Sequence, residues 1–524
     1  MASVQQNNAS RLRELCQQRL SPRRLILASN RGPIEYHLTE DRQPQARRGS
    51  GGVVTALSSI SEHVELEWIA SAMGEGDRVM AQKAEGGRFK VPLGTEKLYL
   101  RFVVNPKDTY HKFYSIICNP LLWFLQHYMW NSPRTPNIDR SVYDAWENGY
   151  VAVNKAFAQT VIDEAKRQDP LPIVMLHDYH FYLAGGYIRQ QLPDIVMQQF
   201  THIPWPSPPY WQLLPGFMLE AIFRGLCSND IVGFQTERDV HSFLYGCESF
   251  IKDADIDYQN HKVRIGDHIA EVNAYPVSVD VEALKKIVSS AKFHEYEKKL
   301  RPLCGEQTIV RVDRLEPSKN IIRGFRAFDT LLERYPQFVG KLKLLAFLVP
   351  SRTHLRPYQR YAQETLQLIE SINNKYRTAE WYPIDLFHEN NYVQALAGMS
   401  LYDVLLVNAV IDGMNLVAKE GPIVNARDGV VILSETVGAC EQLCDNVLPI
   451  ASADLEGTTQ ALYTALTMPA GERRKRAAAL KQVIEEEDLT YWIWRILEDL
   501  VNLVERRSGI ATPGSAPHPS LRSK

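Results

Sequence analysis

The chain has 524 residues, of which 45% are hydrophobic and 23% charged, and a formal net charge of −2. These values are typical of a folded protein with about two large domains, and they argue against a nucleic-acid-binding protein, which would carry a basic excess. No apolar run can span a bilayer, no signal-peptide core is present, and the seven cysteines contain no CxxC pair, so we expect a cytoplasmic protein that binds no membrane and no structural zinc.

Short apolar runs that end in polar or aromatic residues predict buried strands in the first half of the chain. They are LILASNRGP from Leu25, PIVMLHDYH from Pro172, IVMQQFTHIPWP from Ile195 and DIVGFQT from Asp230. Helical patterns such as YVAVNKAFAQTVIDEAKRQ lie between them. Strands that alternate with helices predict a parallel sheet with helices on both faces and ligands at the carboxyl ends of the strands.

A second series of strands follows NAYPVSVD, where the proline after Tyr275 indicates a domain joint. Its runs are TIVRVDRLEPSKN, LKLLAFLVPSR, DVLLVNAVIDGMN and GVVILSE. We therefore predict an α/β protein with two doubly wound, Rossmann-like domains that face a central cleft. The predicted parts are a polar extension at 1–22, the first domain at 23–278, the second at 279–485, a helix at 486–507 and a disordered tail at 508–524.

The stretch RRGSGGVVTAL, which begins at Arg47, places three glycines directly before an apolar run. Glycine lets a ligand approach the main chain closely, and a helix that starts there offers N–H groups to phosphate. A flexible surface loop is an equally good reading of this motif taken alone.

Two motifs of the second domain carry groups that can bind phosphate and sugar hydroxyls. Arg314 and Lys319 follow an apolar strand, and two fixed cations there can hold a diphosphate and neutralise a leaving nucleotide. In IDGMNLVAKE, Asp412 can accept sugar hydroxyls, and Glu420, about two turns into the following helix, can bind a ribose diol. The structural alternatives are a solvated loop for the two cations and an N-cap role for Asp412.

Histidines and one tryptophan of the first domain are further candidates. His177 and His180 lie three residues apart, but no third metal ligand is evident, so we expect no metal. His202 lies in a proline-rich loop of the kind that positions a side chain rigidly. Trp123, in NPLLWFLQHYMW, either packs in the core or faces the cleft.

Six motifs in order resemble the trehalose-6-phosphate synthase family of retaining glycosyltransferases, from Leu25 to about Arg507. They are SNR around Arg31, SGG around Gly51, HDYH around Asp178, HIPWP around His202, DRL–SK around Arg314 and DGMNLVAKE from Asp412. The resemblance implies the GT-B architecture, with a C-terminal helix that crosses back to the first domain. It also implies an α,α-trehalose-phosphate synthase, which transfers glucose from UDP- or GDP-glucose to glucose 6-phosphate with retention and without a cofactor.

Carried over by position, the resemblance implies three sets of site residues. The catalytic set is His202, Asp178, Arg314, Lys319 and Asp412. The donor-binding set is Gly51, Gly52, Arg314, Lys319, Asp412, Met414, Asn415, Leu416 and Glu420, with the two glycines approaching the donor diphosphate. The acceptor-binding set is Arg31, Tyr114 and Arg352 on the phosphate, with Trp123 and Asp178 beside the sugar.

The chain departs from the best-known members of the family in two places. Glu316, Pro317 and Asn320 stand where those members have an acidic-aromatic pair and a glycine, and an insertion, EYHLTEDRQPQA, precedes the glycine-rich loop. The donor base and the acceptor are therefore open, and the alternatives are a glucosylglycerol-phosphate synthase or a pseudo-glycosyltransferase like validoxylamine phosphate synthase. A catalytically silent regulatory subunit is a further alternative. Assembly into a homo-oligomer is also left open.

Overall fold

The computed structural model describes residues 2–48, 57, 59–62, 64–92, 95–353 and 355–509. The strands are β1 (Leu25–Ser29), β2 (Ile34–Leu38), β3 (Pro44–Arg48), β4 (Leu66–Ser71), β5 (Phe89–Lys90), β6 (Leu98–Val103), β7 (Ile173–His177), β8 (Val196–Phe200), β9 (Ile231–Phe234), β10 (Ala254–Asp257), β11 (Lys262–Ile265), β12 (His268–Ala274), β13 (Gln307–Leu315), β14 (Leu342–Pro350), β15 (Ile384–Phe387), β16 (Val404–Val407), β17 (Val430–Ser434) and β18 (Leu448–Ile450).

Helices connect most of these strands. They are α1 (Ala2–Glu14), α2 (Glu75–Lys83), α3 (Lys107–His111), α4 (Phe124–Gln126), α5 (Arg140–Ala145), α6 (Ala152–Ala165), α7 (Ala184–Gln191), α8 (Pro208–Trp211), α9 (Gly216–Cys227), α10 (Glu237–Phe250), α11 (Val281–Val288), α12 (Ala291–Leu300), α13 (Ile321–Arg334), α14 (Arg356–Tyr376), α15 (Tyr392–Met399), α16 (Val417–Val424), α17 (Cys440–Leu443), α18 (Leu455–Thr467), α19 (Ala470–Glu486) and α20 (Leu489–Arg507). Wider π-helical turns cover Leu15–Leu20, Lys112–Trp123 and Trp146–Val151, and tighter 3₁₀ turns cover Ser59–Glu62, Arg301–Leu303, Pro317–Lys319, Pro336–Phe338 and Cys444–Asn446.

The first sheet runs in the order β10-β11-β12-β9-β8-β7-β1-β4-β6-β5 within the described residues. Neighbouring strands from β12 to β6 are parallel, and the strands at the edges are antiparallel. The strand order reverses between β1 and β7, because the chain adds β4 on one side of β1 and β7 on the other. In open α/β sheets a crevice forms at such a reversal, beyond the carboxyl ends of the strands.

The second sheet is parallel throughout, in the order β15-β14-β13-β16-β17-β18. Its central strands are buried on both faces because helices cover the sheet on each side, which is why they read as unbroken apolar runs. The order reverses between β13 and β16, so a second crevice is expected beyond these two strands. The prediction of two Rossmann-like sheets in an α/β protein is confirmed.

The C-terminal helix α20 crosses back to the first sheet, as expected. Asp488 caps it, accepting a hydrogen bond from the Tyr491 backbone N–H at 2.9 Å. The Trp492 indole donates to the Tyr275 carbonyl oxygen at 3.0 Å, and the Tyr275 phenol donates to Asp499 at 2.7 Å. These contacts stabilise the helix against the segment where the chain passes from the first sheet towards the second.

The N-terminal extension is a helix packed on α20, where its polar composition predicted a segment that is either loose or helical. Leu12, Leu15, Cys16 and Leu20 are buried and share the apolar cluster of α20. The Arg19 guanidinium forms two hydrogen bonds with Glu505. The extension reads as polar because only one narrow face of it is buried.

The side chains of Cys440 and Cys444, one helical turn apart, lie next to each other. The remaining five cysteines are free. None of the helices in the described part of the chain is long and apolar enough to cross a bilayer.

Candidate active site

Residues from the ends of β13 and β16 meet at the reversal point of the second sheet and form what we call the Lys319 cluster: Arg314, Lys319, Asp412 and Asn415. The Lys319 ammonium forms a short ion pair with Oδ2 of Asp412, and the Asn415 amide donates to the same oxygen at 3.1 Å. Arg314 is the second-last residue of β13, and its side chain is half exposed. Residues 93 positions apart in sequence therefore form one charged group.

The charges of this cluster favour an ionised carboxylate. Burial opposes ionisation of Asp412, but the Lys319 ammonium outweighs it and holds the pKa of Asp412 below its usual value. Lys319 is only 9% exposed, so the solvated-loop alternative is wrong for it. The N-cap of α16 is Leu416, so the capping alternative for Asp412 is wrong as well.

Asn320 follows Lys319 in a left-handed backbone conformation, with φ 55°. Asparagine tolerates this conformation better than most residues, which explains how it can replace the glycine of the best-known family members. Its amide donates to the carbonyl oxygens of Asn408 and Ser452 at 2.9 and 2.6 Å. The departure from the family pattern thus fixes the loop of Lys319 against the end of β16.

Gly413 brings the second domain into close contact with the first. A Cβ atom at this position would lie 2.0 Å from the carbonyl oxygen of His202. Only glycine allows the two backbones to approach this closely. The contact places the Asp412 turn directly against the loop that follows β8.

We expect Gly413→Ala to lower kcat/KM at least tenfold, because the added methyl forces the two loops apart at a cost of roughly 1–3 kcal/mol. Steady-state kinetics and thermal unfolding check this. The control is Gly471→Ala in the first turn of α19, where a Cβ would meet nothing within 4 Å. If Gly413→Ala retained the activity of the control, this contact would not matter for the cleft.

Three further residues of the donor-binding set lie beside or beyond the Asp412 turn. Met414 is buried, and Leu416 is partly buried directly before α16. Glu420 lies in the first turn of α16 rather than two turns into it, because residues 413–416 are not helical. Its carboxylate accepts a hydrogen bond from the Tyr392 phenol at 2.8 Å. Gly51 and Gly52 lie outside the described residues.

The second group, which we call the Arg352 cluster, contains Arg352, Asn119, Trp123 and Tyr358. The Arg352 guanidinium lies over the Trp123 ring, 4.3 Å from its centroid. It is also hydrogen-bonded to the Tyr358 phenol oxygen at 2.6 Å and to Oδ1 of Asn119 at 3.2 Å. Trp123 is buried beneath the arginine. An arginine that follows β14 in the second domain thus contacts a helical turn of the first.

Arg31 and Tyr114 lie together beyond the end of β1. The Arg31 side chain is half exposed, beside the Tyr114 phenol, and pairs with Glu35 at 3.5 Å. Tyr114 stacks on Tyr110, with ring centroids 5.7 Å apart. Arg31 therefore keeps a guanidinium face available to a ligand.

His202 and Asp178 are brought together at the ends of β7 and β8. Oδ1 of Asp178 accepts a hydrogen bond from the His202 backbone N–H at 3.3 Å, and His202 Nε2 lies 3.1 Å from His177 Nδ1. Burial lowers the pKa of His202 to about 3, so its imidazole is neutral at physiological pH. His180 lies instead between Tyr179 and Tyr114, so the two histidines considered for a metal face different partners.

The pH dependence of stability should report on Asp178. Burial raises its pKa to about 7, against about 3.9 in an unfolded chain. The stability that this group contributes is therefore complete below pH ~4 and is lost as the pH rises through about 7. We expect Asp178→Asn to remove this loss. Between pH 4 and 8, the free energy of unfolding of the variant should therefore decrease by on the order of 3 kcal/mol less than that of the wild type. Urea unfolding at several pH values in this range measures the two free energies. If both proteins lost stability equally with rising pH, Asp178 would not be the group responsible.

Several residues at the cleft were missed by the sequence reasoning. Glu316, which contacts both Arg314 and Arg352, was noted only as a departure from the family pattern. Tyr392 begins α15, shortly after the end of β15, so its place beyond a strand end was an available signal. Asn119 lies within an apolar helical turn, and nothing in the sequence distinguishes it.

Comparisons with known proteins agree with this architecture. The profile of glycosyltransferase family 20 matches residues 23–502. Among curated relatives, the α,α-trehalose-phosphate synthase [UDP-forming] of Pichia angusta is 29% identical over 497 residues, which cover 91% of this chain and 99% of the relative. The enzyme of the same name from Schizosaccharomyces pombe is 28% identical and covers 90% and 89%.

Solved structures are similar over the same length. A UDP-forming α,α-trehalose-phosphate synthase from Burkholderia xenovorans has a TM-score of 0.77 at 26% identity, covering 92% of this chain and 99% of that one. An E. coli structure bound with UDP-2-fluoro glucose has a TM-score of 0.78 at 25% identity, covering 91% and 99%. The chain therefore belongs to glycosyltransferase family 20 and is a glycosyltransferase with the GT-B fold.

Proposed function

We propose that this glycosyltransferase is an α,α-trehalose-phosphate synthase, which transfers glucose from a nucleotide-glucose donor to the anomeric hydroxyl of glucose 6-phosphate with retention of configuration. One observation carries the proposal. Arg31 lies beyond the reversal point of the first sheet, and Arg314 and Lys319 lie beyond that of the second. The contact of Arg352, from the second domain, with Trp123, from the first, brings these cations to one cleft. A reaction between two phosphorylated substrates needs such a pair of anion sites.

The Lys319 cluster is the proposed donor half. Arg314 and Lys319 would hold the diphosphate, and Asp412 would accept hydroxyls of the transferred glucose. The backbone N–H groups at Met414, Asn415 and Leu416, directly before α16, suit the phosphate. Glu420 would hold the ribose, and Gly51 and Gly52 would approach the diphosphate from the first domain.

The Arg352 cluster and the end of β1 form the proposed acceptor half. Arg31, Tyr114 and Arg352 would bind the phosphate of glucose 6-phosphate, since two guanidinium groups and a phenol suit a dianion. Trp123 and Asp178 would flank the acceptor sugar. His202, whose backbone touches the Asp412 turn, would hydrogen-bond the donor glucose.

The proposed chemistry uses no protein nucleophile. The acceptor hydroxyl attacks the anomeric carbon on the face that the nucleotide leaves, the bond to the diphosphate oxygen breaks, and a donor phosphate oxygen takes the hydroxyl proton. The protein contributes orientation and charge, because Arg314 and Lys319 neutralise the developing negative charge on the leaving diphosphate. A cleft that closes around both substrates would exclude water, which would otherwise hydrolyse the donor.

The curated relatives are named as UDP-forming enzymes, which supports UDP-glucose as the donor. An E. coli neighbour bound with UDP-2-fluoro glucose supports the same choice. GDP-glucose remains the alternative, because the departures at Glu316, Pro317 and Asn320 lie beside the proposed diphosphate site.

A donor-by-acceptor activity matrix tests the proposal. UDP-, GDP- and ADP-glucose are each combined with glucose 6-phosphate, glycerol 3-phosphate and water, and the release of nucleoside diphosphate is measured. We expect the highest turnover with UDP-glucose and glucose 6-phosphate. Faster turnover with glycerol 3-phosphate would overturn the assignment of glucose 6-phosphate as the acceptor. No turnover in any combination would indicate a catalytically silent subunit.

A further inference from the structure

One buried carboxylate lies between the Lys319 cluster and the Arg352 cluster. Glu316 has no exposed surface. Its Oε1 is 2.9 Å from Nη2 of Arg314 and accepts a hydrogen bond from the Ser318 hydroxyl at 3.3 Å. Its Oε2 accepts a hydrogen bond from the Ser351 hydroxyl at 3.2 Å and lies 3.6 Å from Nη1 of Arg352. Each oxygen therefore contacts one guanidinium and one hydroxyl.

The surroundings of Glu316 keep it ionised. Burial opposes ionisation, but Arg314, Lys319 and Arg352 together outweigh it and hold its pKa below the usual value. A buried charge of this kind is strongly held by its hydrogen-bond partners. The loops on either side of it, at the ends of β13 and β14, are therefore fixed relative to each other through one side chain.

We propose that Glu316 is a positioning residue that couples the two substrate sites, orienting Arg314 towards the donor diphosphate and Arg352 towards the acceptor phosphate. This inference rests on the proposed function. The first substrate to bind fixes its arginine and, through the shared carboxylate, the rotamer of the other arginine. The second substrate then binds to a guanidinium that is already ordered. Because the entropy of ordering both loops has been lost on binding the first substrate, the affinity for the second substrate rises.

Calorimetric titration tests this coupling. The Kd of glucose 6-phosphate is measured for the wild-type protein with and without saturating UDP. We expect UDP to lower this Kd about fivefold or more, which is at the lower end of typical coupling between two sites. In Glu316→Gln, which keeps the shape and loses the charge, we expect the ratio of the two Kd values to fall to about one, and kcat/KM to fall about tenfold to hundredfold.

Two further variants separate coupling from a general loss of structure. Glu316→Asp keeps the charge and should retain most of the coupling. Asp403→Asn is the matched control, because Asp403 is also buried, accepts the Thr308 backbone N–H, and lies between two guanidiniums, those of Arg427 and Arg473. It lies at the opposite end of the sheet, so it should lower stability without changing the Kd ratio.

The outcomes are distinct. Loss of coupling in Glu316→Gln, with coupling retained in Glu316→Asp and Asp403→Asn, supports the inference. An unchanged ratio in Glu316→Gln, an equal loss in Asp403→Asn, or no coupling in the wild type would overturn it. A wild-type protein that does not bind glucose 6-phosphate at all would overturn the proposed function, and the coupling with it, before any variant is compared.

Discussion

Replacing Lys319 with alanine is expected to lower kcat/KM by roughly 10²–10³, which corresponds to about 2–4 kcal/mol of lost transition-state stabilisation. Lys319 is nearly buried and held in place by Asp412, so its charge acts at close range and little energy is lost in orienting it. Arg314→Ala should fall in the same range. Steady-state kinetics with the best substrate pair measures both.

The chain offers a matched control for Lys319. Lys343 is buried to the same degree and pairs with Asp385 at 2.6 Å, but it lies at the amino end of β14, away from the cleft. Lys343→Ala should reduce thermal stability and leave kcat/KM within a fewfold of the wild type. Equal losses of activity in the two variants would mean that the effect of Lys319→Ala is structural. Near-normal turnover in both Lys319→Ala and Arg314→Ala would show that they are not a diphosphate clamp.

Replacing Arg352 with alanine is expected to raise the KM for glucose 6-phosphate by roughly 10² while donor affinity changes little. A charged hydrogen bond to a phosphate contributes about 1.5–3 kcal/mol, and arginine can make two. The preference for glucose 6-phosphate over glucose should shrink as well, because only the phosphorylated sugar uses this contact. Competition between the two acceptors measures the preference directly.

A structural role for Arg352 predicts a different result. Its contacts with Asn119 and Trp123 hold the two domains together, so a purely bridging arginine would lower thermal stability and donor affinity when removed. Arg88→Ala is the control, since Arg88 also lies over an aromatic ring, that of Tyr99 at 4.5 Å, and pairs with Glu65 far from the cleft. Full discrimination between the two acceptors in Arg352→Ala would contradict the acceptor-phosphate assignment.

Much of the fold is predictable because the strands of both sheets are apolar runs with polar ends. The carboxyl end of a strand is visible in sequence, which is why Lys319 and Asp412 were recognised as candidates. Their ion pair, however, depends on the adjacency of β13 and β16, which a strand pattern alone does not specify. The packing of the N-terminal helix was not predicted for a related reason, since its buried face is defined only by its contact with α20.

The contacts that join the two domains were the least predictable part of the site. Arg352 contacts Asn119 and Trp123 only because the two sheets face each other. The hydrophobic periodicity of a single segment does not predict how two sheets pack together. The position of Glu316 in sequence, between the candidate cations Arg314 and Lys319, was a usable signal. A carboxylate buried in such a loop must pair with at least one of the cations. Glu420 was placed a turn too deep because the turn after Asp412 reads as helical in sequence.

Stereochemical analysis of the product tests the proposed retaining transfer to glucose 6-phosphate. UDP-glucose labelled with ¹³C at the anomeric carbon is incubated with glucose 6-phosphate and the wild-type protein, and the product is examined by NMR. Retaining transfer to the anomeric hydroxyl predicts a non-reducing phosphorylated disaccharide in which both anomeric carbons have the α configuration and are joined through one oxygen. A β configuration at the labelled carbon, or a product with a free reducing end, would contradict it.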